Sequence, residues 1–307
     1  MRTNAMILLV SILGWCAAPA RAESIVIRGG TLLTASHGTV EGDLLIEDGK
    51  IAAIGKVTAP PGAREIDARG RFVMPGIIDA HSHMGVYPWT VAGNGNSDGN
   101  EATSPLTPDV RAEDSIHLED PAFDRARAGG VTSILVLPGS ANLIGGEGVV
   151  LKLRKGNTLD DVRFREAPRQ LKMAMGENPK RVYGSRTQFP STRMGNLALL
   201  REAFHAARET RADNVSSYHE QFFFQWPFRP EHRDVLNDVL AKRIRLQVHC
   251  YTKSDILGLL RAADDCGFEV AAIHHALEAY KVAPELARRN VGVATFADWW
   301  GFKQEAW

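Results

Sequence analysis

The sequence predicts an α/β fold: a parallel sheet with crossover helices, rolled toward a (β/α)8 barrel of which about seven strands are present. Part of a small β unit precedes it. Three observations predict this. From Phe72 onward, short apolar runs alternate with amphipathic helical stretches, the pattern of consecutive βαβ units. Chemistry-bearing residues fall at the C-terminal ends of several of those runs, the end at which a barrel gathers its loops. Between Ser24 and Arg71 only strand and turn signals occur. A doubly wound open sheet is the competing arrangement, but no Gly-x-Gly-x-x-Gly follows any strand, so a dinucleotide site has little support.

The 307 residues suffice for one large α/β domain and a small second one. Lys+Arg and Asp+Glu both total 36, and 44% of residues are hydrophobic. A net charge near zero argues against nucleic acid or an anionic membrane as the main partner. At the N-terminus Arg2 precedes the apolar run Met6 to Trp15, followed by Ala20-Arg21-Ala22. A positive segment, a short apolar core and a small-x-small site read as a secretory signal peptide over residues 1–22, too short to span a bilayer. Cleavage after Ala22 would remove Cys16 and place the mature chain, beginning at Glu23, in the periplasm or outside the cell with no membrane attachment. Trp15 is too large for a lipoprotein signal ending at Cys16. Cys250 and Cys266 remain, either as one disulfide or as two small core residues.

Taken in order, Ser24 to Thr34 alternates β-formers, and Gly42 to Ile54 reads as two strands joined at Asp48-Gly49, a strong hairpin signal. Arg64 to Phe72 adds a short strand. This unit is too thin to hold a core alone. Phe72 to Ala80 is the first buried strand, and Gly85 to Thr107 is a long Gly-, Asn- and Pro-rich loop. Ala112 to Gly129 reads as a helix. Further strands are expected at Val131–Leu137, Gly145–Leu153, Gln170–Met175, Arg243–Cys250, Phe268–His275 and Val291–Phe296. Helices are expected at Leu197–Thr210, Pro230–Lys242, Ser254–Cys266 and Ala283–Arg289.

The chemistry centres on Met74-Pro75-Gly76-Ile77-Ile78-Asp79-Ala80-His81-Ser82-His83. Residues i and i+2 of a strand share a face, so His81 and His83 can offer both imidazoles to one metal ion. Lys172, His249, His274 and His275 also lie at strand ends. Neutral imidazoles and oxygen anions are the donors that zinc and similar divalent ions prefer. One terminal histidine is as often a core residue bonded to a carbonyl; three strands ending in histidine make coincidence a poor explanation.

The Pro-Gly-Ile-Ile-Asp-Ala-His-Ser-His stretch, preceded by a β unit containing Glu47-Asp48-Gly49-Lys50-Ile51, resembles the amidohydrolase superfamily. The His-Cys strand end at 249 and His275-Ala-Leu-Glu-Ala-Tyr-Lys281 resemble its imidazolonepropionase- and prolidase-related branch. Leu137–Asn142, Leu171–Lys180 and Asp298-Trp-Trp300 match as well. The resemblance implies a distorted TIM-like barrel with one or two divalent metals, most often zinc. It also implies a metal-activated water that attacks an amide, lactam, amidine or dipeptide-like carbon–nitrogen bond. His81 and His83 match the first-strand ligands, His249 the fifth and His275 the sixth. His275 is chosen over His274, which should then face outward. Lys172 matches a bridging lysine that becomes carboxylated, with Glu177 as the alternative bridge. Residues 23–70 would form the N-terminal part of a composite β-sandwich and residues 71–307 the barrel.

The sequence departs from that pattern in one respect. The family carries a proton-transferring aspartate at the end of strand eight, and this sequence ends at Trp307, just past the seventh strand. The expectation is a C-terminally truncated enzyme, without family-level turnover as the isolated 307-residue chain; the other reading is an inactive fragment or non-catalytic metal-binding protein. Asp298 is the nearest substitute base. For substrate, Arg181, Tyr183 and Arg193 follow the fourth strand in a polar loop, arginine being suited to carboxylates. Trp299, Trp300 and the Phe222–Phe224 run offer apolar walls. A homo-oligomer is compatible with the sequence.

Overall fold

The computed structural model describes residues 24–88, 97–208 and 228–296. The signal-peptide segment, the Phe222–Phe224 run, Asp298, Trp299 and Trp300 lie outside them. Two compact units divide at Pro75/Gly76.

In the first unit β1 (Ile25–Leu33), β2 (Thr39–Glu47), β3 (Lys50–Gly55), β4 (Arg64–Asp67) and β5 (Phe72–Val73) form one sheet, in the order β3-β2-β1-β4 with β5 also pairing β1. The β2–β3 turn has positive φ at both Asp48 (51°) and Gly49 (72°). That is the geometry in which a two-residue hairpin matches strand twist. The single strand expected over Arg64–Phe72 is instead two, β4 and β5, separated by a turn through Gly70 at φ 70°. Arg28 ties three strands together by bonding Asp43 on β2 and Glu65 on β4. The sheet buries little beyond Val26, Leu32, Leu45 and Ala68, as its thin sequence suggested.

In the second unit β6 (Ile77–Ser82) precedes α1 (Pro121–Ala128), β7 (Val131–Val136), β8 (Ile144–Lys152), α2 (Leu159–Val162), β9 (Arg169–Ala174), α3 (Glu177–Gly184) and α4 (Arg193–Arg208). There follow α5 (Pro230–Leu240), β10 (Ile244–Cys250), α6 (Lys253–Cys266), β11 (Val270–His275), α7 (Ala283–Arg288) and β12 (Gly292–Thr295). The seven strands lie in chain order in one sheet. The long helix expected over Ala112–Gly129 is a 3-10 turn at Ala112–Ser115 and then α1, because Pro121 starts a new helix and Asp120 caps it through Ala122 N. Among the described residues no helix is long and apolar enough to cross a membrane.

One strand departs from the expected parallel sheet. β8 runs antiparallel to both β7 and β9. The link Leu137–Leu143 holds no helix, and a parallel crossover needs a dozen or more residues whereas an antiparallel return does not. The β8 N-terminus, with Asn142 and Gly145 beside it, therefore lies at the same end of the sheet as the C-termini of its neighbours.

Alternation along the strands separates two environments. Leu171 and Met173 on β9, Leu246 and Val248 on β10, and Ile273 on β11 join Leu200, Phe204, Leu236 and Leu259 of the helices in one apolar core. Phe204 and Phe268 stack there with centroids 4.3 Å apart. The intervening residues Gln170, Lys172, Gln247, His249 and His274 are buried on the opposite face. The sheet is rolled so that its ends meet across that face: His81 on β6 touches His274 on β11 and the Phe296 ring just past β12. Among the described strands β6 and β12 are not paired to each other.

Candidate metal centre

The inner face of the rolled sheet gathers the sequence-expected residues. His81 and His83 present their Nε2 atoms to each other at 3.2 Å, with the rings edge to face. His83 Nδ1 lies 2.8 Å from the Leu137 carbonyl, which can only accept, so it carries the proton and Nε2 carries the lone pair. His249, at the end of β10, has Nδ1 2.9 Å from Ser140 Oγ, and its ring sits 4.2 Å from that of His275. His275 lies 5.0 Å from His81, centroid to centroid, so the four histidines form one cluster.

Strand alternation would send one of His274 and His275 away from that cluster. The structure turns both in, correcting the expectation that His274 faces outward. His274 lies on the inner face by its register opposite His249, is 1% exposed, and bonds His81 Nδ1 at 2.9 Å. His275 reaches the same space because its backbone is left-handed, φ 67°, which breaks the alternation at the last strand residue. Positive φ is uncommon for residues other than glycine and is tolerated chiefly at sites that the surroundings over-determine.

Lys172 lies within this group, fully buried, with Nζ donating to the Pro138 carbonyl at 3.1 Å. Burial alone lowers its pKa from 10.5 to about 7. His81, His83 and His274 are held neutral. Burial, then the charge of Lys172, depress His83 to about 4 and His274 to about 3, and push His81 lower still. Neutral imidazoles are the ligand form of histidine. Glu177, the other candidate bridge, is buried in the first turn of α3, where its charge helps raise the Tyr251 phenol after the larger effect of burial.

The donor set fits a divalent ion. Two Nε2 atoms at 3.2 Å stand about as far apart as two corners of a tetrahedral site with metal–nitrogen bonds of roughly 2.0–2.1 Å. Among the described residues no three His, Cys, Asp or Glu side chains already meet in ligating geometry; the donors present are the His81–His83 pair with Lys172, His249 and His275 around it.

The substrate candidates sit differently from the expected loop. Arg181 and Tyr183 belong to α3 and Arg193 opens α4. Tyr183 is fully buried, with its hydroxyl donating to the Ser104 carbonyl, and Arg193 Nε bonds both oxygens of the buried Asp255. Both are engaged in holding helices in place. Arg181 is exposed, and its charge opposes the rise that burial and then Glu177 impose on the Tyr251 phenol. Tyr251, buried against His249 at 4.6 Å, escaped the sequence reading. So did Gln170, Gln247 and Ser140. The signal for the two glutamines was present: each stands two residues before Lys172 or His249, on the same strand face. Cys250 and Cys266 are buried free thiols in the helix-facing core.

No family model matches the chain. The fold superposes on the crystal structure of amidohydrolase from Thermotoga maritima MSB8 with a TM-score of 0.80 and 37% identity, covering 92% of this chain and 72% of that one. The amidohydrolase tasK of Hapsidospora irregularis is 37% identical over 297 residues, 87% of this chain and 29% of its own length. A D-hydantoinase of Rhizobium radiobacter is 53% identical over 60 residues, 20% of this chain and 13% of its own length. The chain thus spans less than a third of these two curated relatives. With the Thermotoga protein, however, identity and fold are sustained over most of both chains, and by that measure this chain belongs to the amidohydrolase superfamily.

Proposed function

We propose that the inner face of the sheet is the metal-binding core of a hydrolase that cleaves carbon–nitrogen bonds in a small cyclic amide, amidine or dipeptide-like substrate. The observation that carries the reading is Lys172. A lysine fully buried among neutral histidines, with no carboxylate paired to it among the described residues, is costly to the fold and calls for another reason to be there. With a pKa of about 7, much of it is a neutral amine near neutral pH. Such an amine adds to carbon dioxide, losing a proton, and the resulting carbamate supplies two anionic oxygens where an ammonium would repel a cation. Lys172 is therefore favoured over Glu177 as the bridge.

His81 and His83 would hold one divalent ion, with His249 and His275 around a second. Zinc suits this donor set best. A bound ion would supply an acidified water and polarise the scissile carbonyl. The protein's own part is to keep His81 and His83 neutral and to hold their Nε2 atoms together. Ser140 orients His249 through Nδ1. Names of the relatives support the cyclic-amide class: D-hydantoinases and an allantoinase share 46–53% identity with this chain over 59–74 residues. The polar and apolar order of residues 1–22 supports export, and sequencing of the mature N-terminus should begin at Glu23.

The test is hydrolysis of cyclic ureides and dipeptides by chelator-treated protein reloaded with zinc or manganese. Any turnover should require the reloaded metal and vanish in His83→Ala. Turnover indifferent to chelation and to that substitution would overturn the reading. The same assay with Asp298→Asn shows whether Asp298 serves as the base.

A further inference from the structure

His274 is not among the proposed ligands, yet it is the residue whose side chain bonds His81. The hydrogen bonds leading to it run in one determined direction. The Pro168 carbonyl can only accept, so Gln170 gives it the amide nitrogen at 2.9 Å and turns Oε1 the other way. Gln170 Oε1 then accepts from Gln247 Nε2 at 2.6 Å. This leaves Gln247 Oε1 facing His274 Nε2, also at 2.6 Å, and His274 must carry its proton on that nitrogen. A neutral imidazole has one N–H, so His274 Nδ1 accepts, and His81 Nδ1 at 2.9 Å donates. His81 Nε2 is thereby a lone pair. A second, independent chain starts at the Leu137 carbonyl and makes His83 Nε2 a lone pair as well. Two backbone carbonyls, one from each side, thus fix two lone pairs 3.2 Å apart with no proton between them.

The strand register builds this path. Gln170 pairs with Arg245, two residues before Gln247, and Gln247 pairs with Ala272, two residues before His274. Each link therefore joins diagonal neighbours on one sheet face, within reach of long side chains. Gln170, Gln247 and His274 are all buried, so every polar atom on the path is obliged to find its partner.

We infer that His274, with Gln170 and Gln247 behind it, is a positioning residue that locks His81 into the tautomer whose Nε2 can ligate, so that the His81–His83 pair is a preset cradle for a divalent cation. This rests on the metal reading above. It assigns the two adjacent histidines of β11 different work: His275 belongs to the ligand set, and His274 orients a ligand on a strand it does not pair with.

The experiment uses the full 307-residue chain with 15N-labelled histidine, freed of metal by chelation, with resonances assigned by single His→Gln variants. Long-range 1H–15N spectra at neutral pH should find His81 and His83 protonated on Nδ1 and His274 on Nε2. Gln247→Leu removes the pin. In folded Gln247→Leu, His81 should shift toward Nε2–H, and zinc affinity measured by chelator competition should fall about 10- to 100-fold. Wild-type His81 protonated on Nε2 would overturn the relay whether or not the variant folds. So would a folded Gln247→Leu that binds zinc as tightly as wild type. A wild type that shows the assigned tautomers but takes up no zinc contradicts the metal reading and leaves the relay's control of His81 standing.

Discussion

Lys172→Met should separate stability from function. The lysine is fully buried, and burial holds its pKa near 7 where an unfolded lysine has 10.5. Between those values the unfolded chain binds more protons than the folded one, so the stability of metal-free protein rises with pH across that window. The cost of burying the ammonium is largest below it. At about 1.4 kcal/mol per tenfold change, the cost is about 4 kcal/mol near pH 7 and below about 1 kcal/mol near pH 10. Methionine fills nearly the same volume without charge but gives up the hydrogen bond to the Pro138 carbonyl, worth about 1 kcal/mol. Metal-free Lys172→Met should therefore be more stable than wild type by about 3 kcal/mol near pH 7 and about equal to it near pH 10. Urea unfolding of both chelated proteins at the two pH values measures this directly, because groups common to both cancel in the difference. The same variant should lose carbamate-dependent metal uptake. A loss of stability of equal size at both pH values would refute the argument that a buried amine burdens the apo fold.

Three further outcomes follow from packing. Gly146→Ala places a Cβ 2.5 Å from Val110 Cγ2 and 2.6 Å from the Val110 carbonyl at a residue with φ 117°, and should cost about 2–3 kcal/mol in urea unfolding. Arg193→Ala leaves the buried Asp255 carboxylate without its arginine; it should lower stability by about 1–3 kcal/mol and leave KM for carboxylate-bearing substrates unchanged, as steady-state kinetics would show. Phe204→Ala removes the ring stacked on Phe268 and should lower stability by about 3–5 kcal/mol, read from the shift in urea midpoint.

Much of this architecture was legible in the chain. Each strand of the second unit lies within a few residues of an apolar run, and the Asp48-Gly49 turn is where the dipeptide placed it. The direction of β8 was not legible, because an apolar run has the same composition whichever way it runs; only the absence of a helix between Leu137 and Leu143 hinted at it. The gathering of His81, His83, Lys172, His249 and His275 followed from strand-end position. His274 was misplaced because simple alternation is a rule for extended backbone, and His275 departs from extended backbone. The Gln170–Gln247 path stayed hidden for a different reason. A polar residue inside an apolar run reads as a blemish until the register brings a partner within reach.

The central claim is that these imidazoles hold a divalent metal, and metal content measured after zinc loading and gel filtration tests it most directly. Wild type should retain one or two equivalents, and His81→Ala and His83→Ala should each lose at least one while keeping wild-type circular dichroism. A folded wild-type protein that retains no zinc, or an undiminished content in both variants, would contradict the account.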